Sequence, residues 1–421
     1  MSILMGLLGI MVLLSIAVLF SKNRKAINLR TIGGAFALQA IVPALVLLTD
    51  SGASVLKSIS AGVQTVIDSA NAGISFLFGP LVSDKMFEVF AGNGFVFALK
   101  VLPVIIFFAS LMSVLYHLNI MQWIIKIFGG ALQKMLGTSR TESMSAAANI
   151  FVGQTEAPLV VKPYIAGMTS SELFAIMAGG LASVAGAVLA GYASMGISLD
   201  YLIAASFMAA PGGLLMAKIL VPETQKISDV KEQKIAKEIE EEIEAANVID
   251  AAAIGASSGL SLAMNVGAML LAFIALIALL NMMLGGIGAW FGYPDVTMQL
   301  ILGYLFSPIA YIIGIPWTEA VQAGSLLGQK LVLNEFVAYV DFIANKELFS
   351  EHSIAVITVA LCGFANLSSI AILLGGLGIL APSRRQEIAR FGLLAVLAGT
   401  LSNFMSATLV GIFMSIGGSA L

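Results

Sequence analysis

The chain has 421 residues, of which 59% are hydrophobic and 11% charged, with a formal net charge of −3. Soluble domains carry about 25% charged residues, so this composition excludes a water-facing surface of ordinary size and places the chain in a bilayer. The near-neutral balance offers no basic patch for nucleic acid, and the single cysteine, Cys362, excludes an intramolecular disulfide and reads as a buried small hydrophobe.

A membrane span needs about 20 apolar residues, because the hydrocarbon core is about 30 Å thick and a helix rises about 1.5 Å per residue. The first candidate, roughly 2–20, is followed by a basic cluster of Lys22, Arg24, Lys25 and Arg30. A secretory signal has the charge first, so this is a retained span with its N-terminus outside and the basic loop in the cytoplasm. Further spans are predicted at roughly 31–49, 97–117, 172–196, 200–221, 257–284, 353–381 and 391–416. Residues 82–94 read as a short interfacial helix, and 120–140, with Lys126, Lys134 and Arg140, as an amphipathic one. The charged stretch 222–250 is a cytoplasmic linker, in which Lys231 to Glu244 mixes Lys and Glu as an exposed helix does. His117 and His352 lie near the ends of apolar segments and read as interfacial.

Two segments, roughly 143–166 and 317–345, are apolar but split by polar residues. The first carries Gly153-Gln154-Thr155-Glu156-Ala157-Pro158, and the second Asn334-Glu335-Phe336. An ionisable group at membrane depth costs several kcal/mol without a return, so both are candidate functional tips. Each half of the first is about 8–10 residues, or about 12–15 Å, which reaches only the midplane. A re-entrant hairpin therefore fits better than a span. With eight spans and two hairpins, the basic loops 21–30, 120–140, 222–250 and 382–390 all fall on one side, as the positive-inside rule requires. Both termini then lie outside, and the hairpins enter from opposite faces.

Gly180-Leu181-Ala182-Ser183-Val184-Ala185-Gly186 is echoed by Gly363-Phe364-Ala365-Asn366-Leu367-Ser368-Ser369. Each lies early in a span that follows a hairpin, giving hairpin–span–span units at 143–221 and 317–416 in opposite orientation. Inverted repeats with broken helices at the midplane are a signature of secondary transporters. At the tips, two carboxylates, two amides and the hydroxyls of Ser183, Ser368 and Ser369 converge, with Phe364 as an aromatic face. Lys and Arg are absent from the tips. The set suits a neutral polar ligand with hydroxyls and an aromatic part, and not an anion. A channel would use rings of carbonyls or charges along an open pore. An intramembrane hydrolase would use Glu156 and Glu335 as an acid/base pair, but no zinc motif, activated Ser or Cys, or phosphate loop accompanies them, so the chain does not read as an enzyme.

At these residues the chain resembles the concentrative nucleoside transporters, in particular the bacterial eight-span members. The resemblance extends over essentially the whole length and is specific at Gly153 to Pro158, at Asn334-Glu335-Phe336-Val337-Ala338-Tyr339, and at Cys362-Gly363-Phe364-Ala365-Asn366-Leu367-Ser368-Ser369-Ile370. It implies an all-α polytopic protein of the bacterial inner membrane, homotrimeric, importing nucleosides by alternating access with no cofactor. By the same resemblance Gln154, Thr155 and Glu156 read the nucleobase, with Val188, Leu262 and Phe364 packing on it, and Glu335, Asn366 and Ser369 bind the ribose. The family contains sodium- and proton-coupled members, and the sodium-coupled pattern falls here on Asn149, Val152, Ser183 and Val184. The implied division is scaffold spans 1–3 with an interfacial helix at 1–119, the first repeat at 120–221, the linker at 222–250, span 6 and an interfacial segment at 251–316, and the second repeat at 317–421.

Overall fold

The computed structural model describes residues 3–83, 85–90, 95–225 and 245–417, and the described chain is helical throughout. In chain order the helices are α1 (Ile3–Leu19), α2 (Leu29–Leu48), α3 (Asp50–Phe78), α4 (Lys85–Val89), α5 (Phe97–Lys100), α6 (Leu102–His117), α7 (Ile120–Leu136), α8 (Arg140–Ala148) and α9 (Lys162–Ile165). There follow α10 (Ser170–Ala182), α11 (Gly186–Ser194), α12 (Leu199–Leu220), α13 (Val248–Trp290), α14 (Met298–Ile312), α15 (Ala320–Val332), α16 (Glu335–Ala344), α17 (Glu351–Leu361), α18 (Ser369–Leu380) and α19 (Arg385–Gly417). The predicted helix at Lys231 to Glu244 falls outside the described residues.

The burial pattern divides the molecule. The segments α10–α11, α12 and α19 are almost wholly buried, whereas α2, α3, α6 and α13 have few buried residues, and α6 is half-buried along its length. α19 packs on α10, α12, α17 and α18, so it forms the axis about which both polar-tipped units assemble. At the periphery α13 lies along α6 through Gly255 and Gly259, one turn apart. A Cβ on Gly255 would stand 2.6 Å from Ser113 Cβ, and one on Gly259 2.7 Å from Ala109 Cβ, so only glycine allows this approach. The Ser110 hydroxyl then donates to the Ala252 carbonyl at 2.8 Å across the contact.

The structure departs from the predicted elements in three places. The stretch 50–82 forms a long helix, α3, ending in a 3-10 turn, and is itself long and apolar enough to cross a membrane. Its Ser, Thr, Lys57 and Asp68 dilute the apolar run, and that dilution conceals it in the sequence. The predicted interfacial helix at 82–94 is reduced among the described residues to α4. Spans 4 and 7 are not continuous: the first breaks between Ala182 and Gly186, and the second between Leu361 and Ser369. The broken backbone finds its partners in the hairpin of its own unit and in the other break, so neither break needs a proline to announce it.

Candidate functional site

Each hairpin turns where its residues dictate. α8 opens on a capping box, in which Ser139 N donates to Glu142 Oε1 at 2.7 Å and Glu142 N to Ser139 Oγ at 3.3 Å. The other Glu142 oxygen pairs with Lys218 of α12 at 2.5 Å, both groups buried, which anchors the hairpin base to the core. Breaking one partner of such a pair leaves an uncompensated buried charge. Asn149 caps α8, the chain turns through Gly153, and Pro158 starts a 3-10 turn at Ala157–Val161, where its missing N–H costs little. In the second hairpin Asn334 caps α16, its Oδ1 accepting from Val337 N at 2.9 Å. That cap sets Glu335 at the first helical position, where the positive helix end favours a carboxylate.

A backbone bond ties each hairpin to the break of its own unit. Gly186 N donates to Phe151 O at 2.9 Å in the first unit, and Leu367 N to Leu331 O at 3.0 Å in the second. Phe364 N donates to Ser183 O at 3.1 Å, joining the two broken spans directly. The internal repeat therefore appears as a repeated bonding pattern.

Around this crossing runs one buried polar network. Glu335 Oε1 accepts from Tyr192 Oη at 3.0 Å, and Oε2 accepts from Asn366 Nδ2 at 3.0 Å. Asn366 Oδ1 accepts from Ser369 N at 2.9 Å and from Ser368 Oγ at 2.7 Å. Gln154 Nε2 donates to Ser369 Oγ at 3.5 Å, and its Oε1 is buried with no partner among the described residues. The structure thus brings Gln154, Glu335, Asn366 and Ser369 together. An unpaired buried acceptor is rare and needs an explanation.

Thr155 and Glu156 stand outside this network, and both are exposed. Thr155 packs on α18, where a Cβ on Gly376 would lie 2.9 Å from its Cγ2. Glu156 Oε2 accepts from Gly153 N at 3.0 Å. Glu156 and Leu262 line a cavity of about 590 Å³ between the first hairpin and α6, α7 and α13, a size that holds a small organic ligand. The Phe364 ring comes against Gly153, 3.8 Å from where its Cβ would be. Val188 is buried on α11, one turn before Tyr192.

The four residues singled out for a cation lie in the first unit, all buried. Both amide atoms of Asn149 are without a partner among the described residues. Its Nδ2 faces Gly179, where a Cβ would be 3.2 Å away. The Ser183 hydroxyl donates to Gly179 O at 3.1 Å, and Val152 and Val184 flank the tip and the break. An orphaned buried amide is rare, and amide, hydroxyl and backbone oxygens at a helix break are the donor set that a hard cation takes. The residues fit sodium.

Tyr192, Lys330 and Asn403 belong to this core, and only the fold brings them to it: Tyr192 sits in an apolar helix, while Lys330 and Asn403 lie among other polar residues of their helices. Lys330 precedes the second tip by one turn, but its ammonium is held by Ala360 O at 2.7 Å and Asn403 Oδ1 at 2.8 Å.

Two helical hairpins whose polar tips meet two broken helices in a buried core define a membrane transporter. Comparison with known proteins gives its kind. Residues 8–81 match the family model for the Na+ dependent nucleoside transporter N-terminus, 98–199 that for nucleoside recognition, and 201–411 that for the Na+ dependent nucleoside transporter C-terminus. The chain is 53% identical to the nucleoside permease NupC of Helicobacter pylori over 99% of each chain. It is 37% identical to human solute carrier family 28 member 3 over 97% of this chain and 59% of that one. It also superposes on CNTnw in an inward-facing substrate-bound state, with TM-score 0.95 and 58% identity over 100% of both chains. A variant of CNTnw in an outward-facing state gives TM-score 0.94 at 58% identity, again over 100% of both. The chain belongs to the concentrative, Na+-dependent nucleoside transporter family, a family of transporters and not of enzymes.

Proposed function

We propose that this chain imports nucleosides across the bacterial inner membrane by sodium symport, with both termini on the periplasmic side. The observation that carries the reading is the network from Tyr192 through Glu335, Asn366 and Ser369 to Gln154, which ends on an unpartnered acceptor. The Glu335 carboxylate accepts from vicinal ribose hydroxyls, and such charge-assisted bonds are the strong ones. Asn366 and Ser369 orient that carboxylate and bind the same sugar. Gln154 reads the base edge, with Phe364 and Val188 packing on its faces. Thr155, Glu156 and Leu262 complete the base site when the cavity beside them narrows. Sodium is the co-substrate, held by Asn149 and Ser183 side chains with carbonyls of Val152 and Val184.

The moving part is 120–221 with 317–421, and the fixed part is 1–119 with 251–316. The almost complete burial of α10–α12 and α19, against the few buried residues of α6 and α13, supports that division. So does the likeness to CNTnw in inward- and outward-facing states. The proposed assembly is a homotrimer. The helix α13 has 43 residues and bares Leu271, Met282 and Trp290, and its length of about 65 Å exceeds what the hydrocarbon core of about 30 Å covers.

Disulfide trapping tests the movement. Leu159→Cys on the first hairpin is paired with Ile254→Cys or with Leu262→Cys, about 12 Å apart along α13; all three native residues line the cavity. The expected result is that sodium and uridine together shift the yield from one pair to the other, in a species whose mass by light scattering is that of three chains. One invariant pair under all ligand conditions would sink the movement, and a one-chain mass would sink the trimer.

A further inference from the structure

Lys330 is 1% exposed in the middle of the protein core. No carboxylate pairs with it at ion-pair distance among the described residues. Its ammonium instead donates to Ala360 O at 2.7 Å and to Asn403 Oδ1 at 2.8 Å. Asn403 turns its Nδ2 to Ala182 O at 2.6 Å and to Cys362 O at 3.1 Å. Ala182 is the last residue of α10, and Ala360 and Cys362 flank the end of α17. The ammonium and this one amide therefore serve the negative ends of both half-helices, where a positive charge is favoured.

The position of Lys330 in the repeat gives this contact its meaning. Phe151 of the first hairpin and Leu331 of the second each accept a backbone bond from the break of their own unit, Phe151 from Gly186 N and Leu331 from Leu367 N, which places both residues against a break. Lys330 is one residue before Leu331, and Asn149 is two residues before Phe151. Each lies at the closing turn of its hairpin's first half-helix and faces the end of the first half of a broken span, α17 for Lys330 and α10 for Asn149. In the first unit that place holds an amide with no partner, and in the second a covalently attached cation.

We infer that Lys330 is a tethered cation, filling in the second repeat the place that a mobile cation takes in the first. The carbonyls at the break of α17 are thereby saturated permanently, and only the first repeat has ion occupancy left to couple to transport. The inference rests on the sodium reading of the Asn149 site, but its own content is the charge at position 330. Half-helix ends and unwound carbonyls coordinate the driving ion in transporters of this build, and an ammonium offers three donors to such oxygens.

The experiment is chemical rescue of Lys330→Ala in the full chain. The truncation removes the equivalent of n-propylammonium, so the variant is expressed, purified and assayed with that amine or with 1-propanol at equal concentration. The expected result is that the amine raises the recovery of folded protein and the uridine uptake per molecule at least threefold, while the alcohol changes neither. Equal recovery and uptake with amine and alcohol would overturn the inference, whether the variant is folded or unfolded in both. Lys330→Met, which keeps the length and removes the charge, is expected to lose uptake at least tenfold, and uptake at the unaltered level would overturn it as well. Failure of the sodium reading is separately visible: uptake by the unaltered protein would then be the same in sodium and in choline, whatever the amine does.

Discussion

Glu335→Gln lowers uridine uptake about a hundredfold but changes the binding of free uracil less than threefold. The asymmetry follows from geometry. Glu335 sits at the first position of α16 with both oxygens already accepting one donor each, from Tyr192 and Asn366. The remaining lone pairs are those of a carboxylate, and in the proposed site they accept from the ribose hydroxyls. Hydrogen bonds to a charged group contribute about 1.5–3 kcal/mol each, so losing the charge at two hydroxyls amounts to about 3 kcal/mol, or about two decades in affinity. The amide keeps the volume, so a loss of folding is not expected to account for the result. Competition of labelled uridine by uridine, 2′-deoxyuridine and uracil measures it. An equal loss for nucleoside and nucleobase would contradict the assignment of Glu335 to the sugar.

The residues that make this argument were unequally legible in the sequence. Glu335 and Gln154 announce themselves because a carboxylate and an amide beside Asn334 or Gly153 have no structural reason to interrupt an apolar run. Tyr192 gives no such signal, since a tyrosine in an apolar helix is common in membrane proteins and only the fold brings it against Glu335. The breaks at Ser183 and Cys362 are invisible for a related reason. Their free backbone groups are satisfied by partners far away in sequence, such as Phe364 N on Ser183 O. Lys218 and Glu142, which fix the base of the first hairpin, are likewise joined only by tertiary structure. The overall plan of spans and hairpins was readable because the bilayer forces long apolar runs and leaves polar interruptions expensive. α3 escaped that logic because its apolar residues are spaced among Ser, Thr and Gly.

Asn149→Ala raises the sodium concentration for half-maximal uptake at least tenfold, and Ser183→Ala raises it by a smaller factor. Asn149 offers its side-chain oxygen without competition, since neither of its amide atoms has a partner among the described residues. The Ser183 hydroxyl already donates to Gly179 O at 3.1 Å and contributes only its lone pairs. Loss of one oxygen ligand worth about 1.4 kcal/mol shifts the midpoint tenfold. Removing the amide also relieves a buried polar group of its desolvation penalty, so thermal stability without sodium is expected to be unchanged or higher. That opposite response separates an ion ligand from a scaffold residue. An unchanged sodium midpoint would take the ion away from this tip and favour proton coupling.

The central claim is that a sodium gradient drives a nucleoside through this chain, and uptake by the purified protein in sealed proteoliposomes measures it directly. With sodium outside and choline inside, labelled uridine is expected to accumulate several-fold above its equilibrium level and to leave unaltered in chemical form. With sodium equal on both sides it is expected only to equilibrate. Accumulation that persists when choline replaces sodium, or that follows an inward proton gradient alone, would contradict the account.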